Sequence, residues 1–198
     1  MAEEDARVSF DPRTALVVVD VQNDFVDPRG SLHVAGAERI VGTINRLIER
    51  AREAGALVVY TQDWHPERTP HFVDDGGVWP RHCVKGTWGA ELVPGLVIAG
   101  PVVQKGTGGE DGYSGFSVRD PVGGEERPTA LDRILRERSI ERVVIAGVAQ
   151  DVCVKETALD ARRLGYHTEV VAAATRPVDP DGGRRALDEL RAAGAEVV

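Results

Sequence analysis

The chain has 198 residues, 24 of them basic and 32 acidic, for a formal net charge of −8. That balance argues against a nucleic-acid-binding face and against attraction to anionic membrane surfaces. The length fits one domain over residues 1–198, with a core large enough to need no covalent staples.

Taken in chain order, residues 14–20 (TALVVVD) are an apolar, β-branched run ending in a carboxylate, the pattern of a strand buried on both faces. Residues 37–54 place Ile40, Val41, Ile44, Leu47, Ile48 and Ala51 at helical spacing, with Gly55 as a stop. A second buried strand follows at 56–62. Residues 63–94 show no sustained period and form a long loop, whose three tryptophans and three histidines argue for order. A short strand at 101–106 leads into a Gly-rich polar loop at 106–128. A short helix at 130–138, a strand at 142–148, a helix at 151–164, a strand at 168–174, a helix at 181–193 and a last strand at 195–198 complete the chain. Strand and helix alternate, and six strands are counted. The expected fold is α/β, a Rossmann-like three-layer α/β/α arrangement around a six-stranded parallel sheet.

The longest apolar runs fall far short of the roughly 20 residues of a membrane span. The acidic start, MAEEDARVSFDPR, lacks the apolar stretch of a secretory signal. Two cysteines, Cys83 and Cys153, make no disulfide framework, so the expected setting is a reducing cytoplasm.

In open α/β sheets, ligands bind beyond the carboxyl ends of the strands. Those ends gather Asp20, Asp63 with His65, and Lys105 at one edge, and GVAQDVC puts Cys153 in the first turn of the following helix. A thiol attacks carbonyl carbon as its thiolate. A helix start and a nearby ammonium both lower a thiol pKa, so a depressed value is expected at Cys153. Asp20 is the candidate base and Lys105 the candidate stabiliser of the charge.

Three of the five histidines, His65, His71 and His82, fall within one 18-residue window. With Asp63 they offer imidazole and carboxylate ligands for a divalent ion such as zinc, iron or manganese. His33 and His167 lack partners and are expected to be structural, as is the buried Cys83. Phe25, Trp79 and Tyr113 are scarce aromatics in loops beyond the same edge, suited to wall a flat ring. The run GTGGEDG at 106–112 has G-x-G-x-x-x-G spacing with no clear helix behind it, which is poor evidence for dinucleotide binding.

Several segments together carry a family resemblance. They are ALVVVDVQNDFVDPRGSL at 15–32, TQDWHPERTPHF at 61–72, WPRHCVKGTWGAEL at 79–92, QKG at 104–106 with YSGF at 113–116, and GVAQDVCVKETALDA at 147–161. In this order they resemble the isochorismatase-like cysteine hydrolases, and within them the nicotinamidases, also called pyrazinamidases. The resemblance implies hydrolysis of a linear amide C–N bond in nicotinamide, a step of NAD salvage, through a thioester. It implies a nucleophile at Cys153, a base at Asp20 and a supporting Lys105. It further implies metal ligation by Asp63, His65 and His82, with His71 a further ligand in some members, and one divalent ion, zinc first. A cis peptide at Val148–Ala149, an oxyanion hole from the amides of Ala149 and Cys153, a ring site at Phe25, Trp79 and Tyr113, and a homo-oligomer are also implied. Many relatives carry histidine just before the nucleophile, where this chain has Val152. The rival expectation is a related amidohydrolase acting on a carbamoyl or ureido substrate.

Overall fold

A run of apolar and β-branched residues is stable as a strand only where both faces of its sheet are covered. In the computed structural model, which describes residues 8–198, β1 (Thr14–Val19) is buried along its whole length. Residues 1–7 of the acidic start lie outside the described residues. Leu16 and Val18 enter one core, while Ala15, Val17 and Val19 enter the other, the two-residue alternation that a strand imposes.

After β1 comes the single helical turn α1 (Asn23–Val26), and a 3-10 turn at Ala37–Arg39 precedes α2 (Val41–Glu53). The expected helix at 37–54 therefore starts as a tighter turn and becomes α-helical only from Val41. The strand β2 (Leu57–Asp63) is followed by the long loop and by β3 (Val102–Lys105). Within 106–128 the chain forms a hairpin of β4 (Ser117–Arg119) and β5 (Glu126–Pro128). Its residues are exposed or half-buried, so no apolar period marked it in the sequence. Then come α3 (Leu131–Glu137), β6 (Arg142–Val148), α4 (Lys155–Arg163), β7 (His167–Arg176), α5 (Pro180–Ala192) and β8 (Glu196–Val197). The helix expected from 151 opens as a π-helical turn at Gln150–Val154 before α4. The start of α5 has a full cap: Pro180 occupies the first turn and the Asp179 carboxylate accepts from the amides of Asp181 and Gly182.

The six long-sheet strands run in the order β3-β2-β1-β6-β7-β8, and every pairing is parallel. One face packs the apolar stripe of α2, through Ile44, Leu47, Ile48 and Ala51. The other packs residues of α3, α4 and α5, through Leu131, Leu135, Ala158, Ala161 and Leu190. This is the three-layer arrangement expected. Sheet order reverses direction between β1 and β6, which opens a crevice outside their carboxyl ends. Close packing there demands a glycine. Gly147, at φ 122°, sits so near β1 that a Cβ would lie 2.0 Å from the Val19 carbonyl oxygen. No helix of the described residues is long and apolar enough to cross a membrane.

Candidate active site

Asp20 follows directly after β1, where the chain turns away from the sheet at φ 51°. That left-handed conformation is rare outside glycine, and it marks functional turns. Gly147–Val148 ends β6 on the other side of the crevice, a cis peptide joins Val148 to Ala149, and the π-helical turn then presents Cys153. Lys105 closes β3, two strands over from β1.

These residues converge on one ammonium. Lys105 Nζ lies 2.8 Å from Asp20 Oδ2, 2.5 Å from Asp63 Oδ1 and 4.0 Å from Cys153 Sγ, and it also donates to the Gly112 carbonyl. Asp20 Oδ1 accepts from Thr61 Oγ1 at 2.6 Å. The Lys105 and Asp20 side chains are wholly shielded from solvent. Charges buried to this degree persist only when paired.

The environment sets the protonation states. Burial pushes Asp20 up to about 6, although Lys105 opposes it. Lys105 is held well above its ordinary value: burial disfavours the ammonium, but Asp20 and Asp63 outweigh it. Burial also pushes the Cys153 thiol well above its ordinary value, with Lys105 pulling down and Asp20 and Asp63 pushing up. The expected depression of this thiol is thus overturned. A sequence shows the neighbouring ammonium but neither the burial of the thiol nor the two carboxylates beside it. The resting pair is a neutral thiol next to a carboxylate, so the proton must move as the sulfur attacks.

Asp63, His65, His71 and His82 come together beside this cluster. Asp63 Oδ2 is 3.9 Å from His65 Nε2 and 3.9 Å from His82 Nε2. Nitrogens of His65, His71 and His82 all lie within 4.8 Å of one another. His82 Nδ1 donates to the Pro80 carbonyl at 2.7 Å, which leaves Nε2 with a lone pair. His71 Nδ1 lies 2.5 Å from Asp111 Oδ1. Neither ring nitrogen of the buried His65 has a hydrogen-bond partner. An orphaned buried imidazole is costly unless something else binds it. Burial pushes His65 down to about 3 and lowers His82, so both rings are neutral and their lone pairs available. Three imidazoles and a carboxylate therefore fit a divalent transition ion.

Over the cluster lies a cleft with about 420 Å³ of atom-free space, lined among others by Phe25, Trp79, Tyr113, Ala149, Val152 and Cys153. Trp79 Nε1 donates to the Tyr113 hydroxyl at 2.8 Å, which fixes two of the aromatic walls against each other. Phe25 packs on His82 at 5.4 Å between ring centroids. The remaining wall is aliphatic, with Leu32, Val34 and Val178 beside Val152.

His33 faces Glu38 at 3.6 Å and His167 faces Glu196 at 3.2 Å, both outside the histidine cluster. Cys83 is a buried free thiol whose amide donates to Asp24 Oδ2 at 2.7 Å. Three supporting residues were missed from the sequence. Thr61 anchors Asp20. Gln22 donates to the Asp63 and Ala90 carbonyls at 2.8 and 2.9 Å and accepts from the Asp63 amide at 2.8 Å, so it carries the strand end that bears Asp63. Asp111 meets His71. A threonine inside the continuously buried run of β2 was a usable signal for it, whereas Gln22 and Asp111 sit in irregular backbone with none.

Residues 14–198 match the Isochorismatase domain model. The chain is 37% identical over 205 residues to the nicotinamidase of Escherichia coli (strain K12), covering 93% of each chain. It is 39% identical over 191 residues to the nicotinamidase/pyrazinamidase of Mycobacterium tuberculosis (strain H37Rv), covering 93% of this chain and 97% of the relative. Its fold superposes on the pyrazinamidase of Pyrococcus horikoshii in complex with zinc with a TM-score of 0.85, at 40% identity, covering 94% of this chain and 99% of the other. The chain belongs to the isochorismatase domain family.

Proposed function

We propose that this protein is a nicotinamidase, a cysteine amidohydrolase that converts nicotinamide to nicotinate and ammonia and also accepts pyrazinamide, which differs by one ring atom. The observation that carries this reading is the Lys105 ammonium held between Asp20 and Asp63, 4.0 Å from Cys153 Sγ, with Asp63 and Cys153 lining an aromatic-walled cleft.

In this mechanism the pyridine ring lies among Phe25, Trp79 and Tyr113, with its carboxamide over Cys153. Asp20, ionised at neutral pH, takes the thiol proton as sulfur bonds to the amide carbon. Lys105 offsets the negative charge that passes between sulfur and carboxylate. The oxygen of the tetrahedral intermediate is assigned to the amides of Ala149 and Cys153. Asp20 then returns the proton to the departing ammonia, leaving a thioester. A water molecule, deprotonated by Asp20, attacks the thioester carbon and restores the thiol as nicotinate leaves.

Asp63, His65, His71 and His82 would hold one divalent ion, and zinc is the choice that this donor set and the zinc-bound Pyrococcus pyrazinamidase support. Bound there, the ion supplies a Lewis-acidic point for anchoring the ring nitrogen. Two free buried thiols suit a reducing cytoplasm. A homo-oligomeric assembly is part of the same proposal and rests on the family resemblance.

The test is ammonia release measured in parallel with nicotinamide, pyrazinamide and a ureido substrate. Rapid release from the two aromatic amides supports the reading. Release from the ureido substrate alone would replace it with the carbamoyl or ureido alternative.

A further inference from the structure

The Gly-rich run at 106–112 supplies the triad with only the Gly112 carbonyl that accepts from Lys105, and its spacing is poor evidence for dinucleotide binding. It nevertheless lies along the histidine cluster. Gly106 begins it at φ 72°, so close to His65 that a Cβ would lie 2.5 Å from His65 Cε1. Thr69 Oγ1 donates to the Gly109 carbonyl at 2.5 Å and accepts from the His71 amide at 3.1 Å, which clips this loop to the loop carrying His71. Asp111, near its end, is locked by its own backbone. Its amide donates to the Arg119 carbonyl at 2.8 Å, and its carbonyl accepts from the Arg119 amide at 3.0 Å. The β4–β5 hairpin thus holds Asp111 in place, and Asp111 Oδ1 meets His71 Nδ1 at 2.5 Å. The His71 side chain is only 4% exposed and the Asp111 side chain 17% exposed, so water competes little for this contact.

A carboxylate can only accept. Its partner Nδ1 therefore carries the hydrogen, and the lone pair of His71 belongs to Nε2. A buried contact of this kind fixes both the tautomer and the ring orientation. The ring so fixed stacks on His65, with centroids 4.6 Å apart.

We propose that Asp111 is a positioning residue for the metal site, holding His71 as its fourth protein ligand through the Gly-rich loop and the β4–β5 hairpin. This inference rests on the metal reading given above. It assigns the glycine-rich run a role as the outer wall of that site.

The test is zinc affinity, measured by competition with a chromogenic chelator, for the purified wild type and for Asp111→Ala, Asp111→Asn, His71→Ala, His65→Ala and the double variant Asp111→Ala with His71→Ala. Loss of such an outer partner weakens metal binding about 10- to 100-fold, so Asp111→Ala is expected to fall in that range. Asp111→Asn, whose amide oxygen still accepts, is expected to lose less. The double variant should bind no more weakly than His71→Ala alone, and the ligand-field bands of the cobalt(II) form should shift in Asp111→Ala. The melting temperature of the metal-free Asp111→Ala protein should match that of the metal-free wild type. Wild-type affinity in Asp111→Ala, or an equal further loss on adding it to His71→Ala, would overturn the inference while leaving the metal site intact. Failure of the wild type to bind zinc, or of His65→Ala to weaken it, would overturn the metal reading itself.

Discussion

Replacing Lys105 by methionine tests whether the ammonium is what makes two buried carboxylates tolerable. The substitution keeps length and removes the charge. Asp20 and Asp63 then lose a partner at 2.8 and 2.5 Å with no solvent to replace it. Breaking a buried pair by removing one member costs about 3–5 kcal/mol. For a domain of this size each kcal/mol moves the melting temperature by about 2–4 °C, so a fall of about 6–20 °C is expected at pH 7. The pH dependence identifies the cause. The Asp20 carboxyl already sits at about 6, above its ordinary 3.8, because burial outweighs Lys105. Without Lys105 it rises further. A carboxyl whose folded pKa is raised destabilises the fold when ionised, and protonation relieves that deficit as pH falls through the folded value. The gap between Lys105→Met and wild type should therefore narrow from pH 7.5 to pH 5.5. Urea unfolding of the metal-free proteins across that range measures it. A deficit under about 1 kcal/mol, the scale of an exposed ion pair, or one that widens towards acid, would refute the reasoning.

The remaining expectations are independent of that variant. The reaction needs Asp20 ionised, so kcat/KM should fall on the acid side with an apparent pKa near the raised value of about 6, and a limb near 4 would contradict the assignment. Gly147→Ala should destabilise the fold by more than about 4 kcal/mol, because the new Cβ meets the Val19 carbonyl oxygen at 2.0 Å; soluble expression and thermal melting check it. Dialysis against a strong chelator should abolish ammonia release, with zinc restoring it, whereas full activity at undetectable metal content would exclude the metal site. Trp79→Phe loses the hydrogen bond to Tyr113 and should raise KM severalfold with the melting temperature unchanged.

The parts legible in the sequence were those with a period or a strand end. The runs at 14–20, 56–62 and 142–148 announced buried central strands, and the rule that ligands sit beyond strand ends selected Asp20, Lys105 and Cys153. The histidine cluster was legible because His65, His71 and His82 are scarce residues crowded together. The β4–β5 hairpin was not, since Ser117–Arg119 and Glu126–Pro128 are too polar and too exposed to leave an alternation. Asp111 was hidden for the same reason: its meaning comes from a hairpin that only the fold reveals. The thiol was misjudged on a different ground. A helix start and a lysine can be read along the chain, but the burial of the thiol and two adjacent carboxylates arise only when β1, β2 and the turn after β6 are brought together.

The central claim is that amide hydrolysis runs through the sulfur of Cys153. Its most direct test is the rate of ammonia release from nicotinamide by the Cys153→Ala variant, loaded with zinc alongside the wild type and shown to melt at a similar temperature. The account predicts a loss of at least about four orders of magnitude, as for other enzymes stripped of a nucleophile. Release at the wild-type rate would contradict it.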